Sequence, residues 1–101
     1  MSWVDGASAA LPDGTLLGVE AGGTLVALAR VAGQWHAVEA WCSHAECPLT
    51  DGWLEGRSVR CVCHGSLFDL ETGEPLEGPA VEPVRTFPTR VVGGRVALEV
   101  G

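Results

Sequence analysis

The 101-residue sequence contains no Lys, Asn, Ile or Tyr, and all six of its cations are Arg. Against thirteen acidic residues they leave a formal net charge of −7. Binding a phosphate backbone needs clustered Arg and Lys, so nucleic acid is excluded as the natural partner. Acidity of this size favours solubility and suits docking on a basic surface. Long apolar runs are also missing. The longest, Leu25 to Ala32, is interrupted by Arg30 and falls far short of the roughly 20 residues that cross a bilayer, so no membrane association is expected. Met1-Ser2-Trp3-Val4-Asp5 lacks a basic segment followed by an apolar one. No export signal is therefore expected, and a cytoplasmic location is. Repeats, low-complexity segments and linkers are absent, and helix signals are nearly so.

What the sequence has instead is turns. Fourteen Gly and six Pro separate short β-type runs: Trp3–Asp5, Thr15–Glu20, Leu25–Val31, Trp35–Ala40, Ser58–Cys61, Leu67–Leu70, Thr86–Val92 and Arg95–Val100. Turn signals fall at Pro12-Asp13-Gly14, Ala21-Gly22-Gly23, Ala32-Gly33, Thr72-Gly73 and Gly93-Gly94, the last a strong hairpin connection. This pattern predicts an all-β protein, a small antiparallel β-sandwich or barrel, as one domain over residues 1–101. The segment at about 41–83 is different. It holds all four Cys, two of the three His and four of the six Pro, as expected of a site hung on a β framework.

Two boxes carry the chemistry: Cys42-Ser43-His44 and Cys61-Val62-Cys63-His64, with sixteen residues between His44 and Cys61. Each offers one thiolate and one imidazole from a tight turn, and two such loops facing each other can surround a metal centre. In a reducing compartment, clustered cysteines favour a metal site over a disulfide framework. A structural zinc ion on two Cys and two His is one solution, although zinc boxes usually pair like ligands. The mixed order suits a binuclear cluster in which one iron takes both thiolates and the other both imidazoles. Packing without metal is the third reading.

The surroundings of the boxes resemble a known family. Cys42-Ser43-His44-Ala45-Glu46-Cys47-Pro48-Leu49 and Cys61-Val62-Cys63-His64-Gly65-Ser66-Leu67-Phe68-Asp69 resemble the two cluster-binding boxes of Rieske proteins. Thr72-Gly73 and Gly78-Pro79-Ala80 resemble that family's downstream turn and proline loop. The resemblance implies a Rieske fold with a two-loop cluster-binding subdomain, and one [2Fe-2S] cluster. Cys42 and Cys61 would ligate one iron, His44 and His64 the other. Two neutral imidazoles in place of thiolates ease reduction, and Rieske potentials span roughly −150 to +300 mV against roughly −400 mV for plant-type clusters.

Around the ligands the resemblance points in two directions. Ser66 matches the serine that donates to cluster sulfur in high-potential members, which raises the potential. Phe68 stands where those members carry a Tyr hydroxyl, and so lacks that donor. Cys47 and Cys63 match a pair that forms a disulfide in high-potential members, while a cytosolic poise opposes the bond, and the sequence leaves the pairing open. Pro79 belongs to a stiff loop that in the family shields the cluster.

The resemblance is closest to the ferredoxin components of bacterial aromatic-ring-hydroxylating dioxygenases. It implies a monomeric one-electron carrier and not a catalyst, with two partners: an NADH-dependent flavin reductase and a terminal Rieske oxygenase. A higher-potential Rieske protein of another oxidoreductase system, with a Cys47–Cys63 disulfide, and a zinc-stabilised interaction module are the alternatives. His36 is read as a surface or packed residue with no role, and the four Trp mainly as packing. Leu49 and Trp53 are expected to form an apolar rim near the cluster, and the acidic residues between Glu46 and Glu82 a solvated or steering face.

Overall fold

The computed structural model describes residues 2–43 and 46–100. Among these residues, eleven strands form three antiparallel sheets. The first contains β1 (Ser2–Ser8), β11 (Arg95–Val100) and β10 (Thr89–Val92), in the order β1-β11-β10. The second contains β2 (Leu16–Ala21), β3 (Thr24–Val31), β4 (Gln34–Glu39) and β9 (Thr86–Phe87), ordered β2-β3-β4-β9. The third follows chain order: β5 (Trp53–Glu55), β6 (Ser58–Arg60), β7 (Leu67–Asp69) and β8 (Pro75–Glu77). A short 3-10 helix, Leu49–Asp51, precedes β5. The expected all-β antiparallel architecture is observed.

The second sheet is the middle layer, and this explains its composition. Successive strand residues face opposite sides. Val26 and Leu28 of β3, with Trp35 and Ala37 of β4, pack against Val96, Leu98 and Val100 of β11. Ala27 and Ala29, with Val38, face a second core built with Leu49, Val59, Phe68 and Leu70. A strand covered on both faces reads as an unbroken apolar run, which is why Leu25 to Ala29 has no polar alternation. Two small Ala on the second side leave room for Phe68, which is fully buried.

Most predicted strands appear with boundaries shifted by a residue or two, and three features differ. The run Thr86–Val92 is two strands. Pro88 has no N–H to give a ladder, so the chain leaves β4 after Phe87 and joins β11 from Thr89. Strands β5 and β8 were not expected. Each has three residues, and β8 begins with Pro75, which an edge position tolerates. Leu49 is wholly buried in the second core, so it forms no apolar rim; the 3-10 turn points it inward. Trp53, at the start of β5, is exposed.

Gly52 shows how tightly this region is built. A Cβ there would collide with the carbonyl oxygen of Arg60. Glycine therefore lets the end of the 3-10 helix lie directly on β6, the strand that leads into Cys61. Among the described residues, no helix is long and apolar enough to cross a membrane.

Candidate metal centre

The two boxes fold into turns of the same design. The backbone N–H of Cys42 donates to the carbonyl of Cys47 at 2.9 Å, and that of Cys61 to the carbonyl of Ser66 at 2.8 Å. In both, the leading Cys closes a loop on the residue five positions later. An antiparallel bridge between Trp41 and Pro48 secures the base of the first. The second follows directly from β6 into β7 and contains Gly65 at φ 79°, a left-handed conformation that glycine adopts without strain. Its N–H returns to the carbonyl of Cys61 at 3.0 Å.

This construction places both leading thiols inside the protein. Cys42 and Cys61 are buried at 6% and 0% exposure in one core with Leu49, Phe68 and Ala80. Neither takes part in a disulfide. Burying two thiols in an apolar setting, each at the head of a closed loop, fits ligation of a soft metal centre. His64, from the same turn as Cys61, is exposed. The thiol side of the site thus faces the core, and its one described imidazole faces solvent. His44 lies outside the described residues. Among the described residues, no group of three or more His, Cys, Asp or Glu side chains is arranged around a single metal ion.

The other two cysteines settle the open pairing. Cys47 and Cys63 form a disulfide, with Cα atoms 6.3 Å apart, and it joins the first turn to the second.

The proline loop is fastened to both turns by serine hydroxyls. Ser43 donates to the carbonyl of Glu82 at 2.7 Å. The Ser66 hydroxyl, fully buried, accepts the N–H of Ala80 at 3.0 Å. Accepting that bond leaves its O–H hydrogen for a second partner. Gly78-Pro79 is a cis peptide; Pro79 is exposed while Ala80 turns inward. Further along, the carbonyl of Gly73 takes the N–H of Val84 at 2.9 Å. Asp69 supports this from below, its carboxylate accepting the N–H groups of Glu71 and Thr72. The backbone donor of Thr72 is the main reason the Asp69 pKa lies below its usual value.

Sequence reasoning missed Ser43 and Arg60. Serine at the middle of a Cys-X-His turn carries no pattern that names its partner. Arg60 received no individual reading, yet its side chain bonds Glu55 and the Gly65 carbonyl. The Arg60 guanidinium beside Glu55, aided by the Trp53 indole N–H, pulls that carboxyl down to about 2. A signal was available: Glu55-Gly56-Arg57-Ser58 is a tight hairpin, and it makes Glu55 and Arg60 diagonal neighbours across the strands.

Comparison with known proteins identifies the family. Residues 2–88 match the model of the Rieske [2Fe-2S] domain family. The chain is 34% identical over 99 residues to the ferredoxin component of a naphthalene 1,2-dioxygenase system from Pseudomonas aeruginosa, covering 97% of this chain and 95% of that one. It superposes on the ferredoxin of carbazole 1,9a-dioxygenase from Nocardioides aromaticivorans IC177 with a TM-score of 0.92 and 29% identity, covering 97% of each chain. A chain from a complex of reduced oxygenase and oxidized ferredoxin in carbazole 1,9a-dioxygenase gives a TM-score of 0.91 at 32% identity, over 95% of this chain and 91% of that one. Fold, paired Cys-headed turns and family match agree: the chain belongs to the Rieske [2Fe-2S] domain family.

Proposed function

We propose that this chain is the ferredoxin component of an aromatic-ring dioxygenase system, a one-electron carrier and not itself an enzyme. The observation that carries the reading is the pair of matched turns, each headed by a cysteine buried in the same core, Cys42 and Cys61. Cys42 and Cys61 would hold one iron of a [2Fe-2S] cluster, and His44 and His64 the other. When bound, the cluster supplies a one-electron couple. Leu49, Phe68 and Ala80 exclude water from the thiol side, while His64 is presented to solvent and to a partner. We take residues 1–101 as one domain whose cluster-binding part lies at about 41–83; a radius of gyration of 12.5 Å is that of a compact chain of this length.

The partners we propose are a terminal Rieske oxygenase as acceptor and a flavin-dependent, NADH-linked reductase as donor. Relatives named as dioxygenase ferredoxin components, and a ferredoxin of like fold solved in complex with its oxygenase, support the first. Trp41, Val62 and Val81 stand exposed on the first turn, the second turn and the proline loop. These three apolar side chains offer a docking rim around the turns. We also propose that it works as a monomer, because a shuttle must release one partner to reach the next.

Iron and sulfide analysis of the purified protein tests the ligand set, with EPR of the reduced form. Two irons and two sulfides per chain with a low-average-g signal are expected; a colourless protein with one zinc would overturn the reading. His64→Cys should lower the potential, because it adds a negative ligand. Cys42→Ala should prevent assembly. The Cys47–Cys63 disulfide favours a second reading, a higher-potential carrier of another oxidoreductase system. A midpoint well above about 0 mV, in the upper Rieske range, would select it.

A further inference from the structure

Arg60 immediately precedes Cys61 and joins four parts of the chain. Its Nε donates to one carboxylate oxygen of Glu55, and its Nη2 donates to the other at 2.8 Å. Nη1 donates to the carbonyl of Gly65 at 2.7 Å and reaches the Glu77 carboxylate at 3.3 Å. The Trp53 indole N–H donates to the same Glu55 carboxylate at 2.7 Å. The Arg60 side chain is 20% exposed, so most of it lies against protein. One guanidinium thus fastens β5, β8 and the second Cys-headed turn together.

The bond to Gly65 distinguishes this arrangement from an ordinary surface ion pair. Arg95 and Asp5 form a comparable two-bond pair on the first sheet, but it holds no loop. At Gly65 both backbone groups are fixed: the N–H by the Cys61 carbonyl at 3.0 Å and the carbonyl by Arg60 at 2.7 Å. His64 lies between Cys61 and that anchored residue. Anchoring the two ends of the turn limits how the His64 backbone can rotate. A planar fork does this with fixed directions; a lysine keeps the charge and loses the geometry.

We propose that Arg60 is a positioning residue for the second turn, setting the orientation of His64 relative to Cys61 through the Gly65 carbonyl. The inference rests on the ligand reading given above. Outer groups that orient metal ligands typically change metal retention by about 10-fold to about 100-fold when removed.

The test compares holoprotein of wild type, Arg60→Met, Arg60→Lys and Arg95→Met. Three quantities are measured: the EPR g-values of the reduced form, the rate of chelator-driven cluster loss, and the unfolding midpoint. Both Arg60 variants should shift the g-values and lose the cluster about tenfold faster, Arg60→Lys included, while Arg95→Met should match wild type in both. Should Arg60→Met fail to assemble, Arg60→Lys decides by the same criteria. Unchanged g-values and unchanged cluster loss in the Arg60 variants, even with lowered unfolding midpoints, would leave Arg60 a structural residue and overturn the proposal alone. A wild-type protein without the low-average-g signal would overturn the ligand reading itself, and this inference with it.

Discussion

Ser66 and Ala80 are joined by a hydrogen bond of 3.0 Å in which the buried hydroxyl accepts the backbone N–H. This bond holds the inward side of the proline loop against the second turn, as Ser43 holds its outer side through Glu82. Ser66→Ala would leave the Ala80 N–H buried without its acceptor, at a cost of about 1–3 kcal/mol. It would also remove the hydroxyl hydrogen that remains for a second partner. If that partner is cluster sulfur, the variant should be both less stable and lower in potential, because a donor to sulfur favours the reduced form. Urea unfolding and a redox titration read the two effects separately. A stability loss with an unchanged potential would confine Ser66 to fastening the loop.

The Cys47–Cys63 disulfide closes a loop across a sequence separation of 16. In the chain-entropy account a loop of this length stabilises the fold by about 3 kcal/mol, by restricting the unfolded chain. Cys47→Ser combined with Cys63→Ser should lower unfolding stability by up to about that amount. Because the bond ties the turn of Cys42 to the turn of Cys61, the double variant should also release its cluster faster. Alkylation of unreduced wild-type protein checks the premise: mass addition at Cys47 and Cys63 would show that the thiols are not paired.

How much of this was legible in the sequence depended on whether the cause was local. The Gly93-Gly94 connection could be read because both positions require positive φ, and they have it. The two boxes could be read because ligand types at short spacing are a local pattern. The break at Pro88 was equally local, since a ring nitrogen without hydrogen cannot serve a ladder, and reading Thr86–Val92 as one strand overlooked it. Strands β5 and β8 were not legible: three residues carry no periodicity, and they become strands because β6 and β7 lie beside them. Leu49 looked like rim and proved to be core for a similar reason. Its burial is decided by Val59, Phe68 and the Ala-lined face of β3, all distant in sequence. The serine and arginine contacts of the centre are of this second kind, set by tertiary placement.

One turn carries a local conflict. Ala32 has φ 51° in the connection between β3 and β4, where it precedes Gly33. A residue with a Cβ in this left-handed region costs roughly 1 kcal/mol, and Asn tolerates it better. Asn-Gly is the favoured pair for such a two-residue hairpin. Ala32→Asn should therefore raise unfolding stability by about 0.5–1 kcal/mol without altering the cluster spectrum. The position is exposed, so no core contact is at stake. An unfolding midpoint equal to or below that of wild type would show that the backbone strain is not released.

His36 received no role from the sequence, and its setting gives it one in acid stability. It lies half-buried on β4 beside a groove of about 450 Å³ lined by Leu70, Glu71 and Thr86 among others. Its Nε2 is buried without a hydrogen-bond partner among the described residues. Burial first, and the nearby Arg57 second, hold its pKa below the ordinary 6.5, with Glu71 and Asp69 opposing. The sign follows from linkage. As pH falls below 6.5 the unfolded chain takes up a proton that the folded chain resists, so stability is complete above that value and declines beneath it. His36→Gln should make the decline between about pH 7 and about pH 5 shallower than in wild type. Urea unfolding of both proteins across that interval measures the difference. Parallel curves would mean that His36 takes up its proton equally well in the folded chain, and that its buried Nε2 is reached by water.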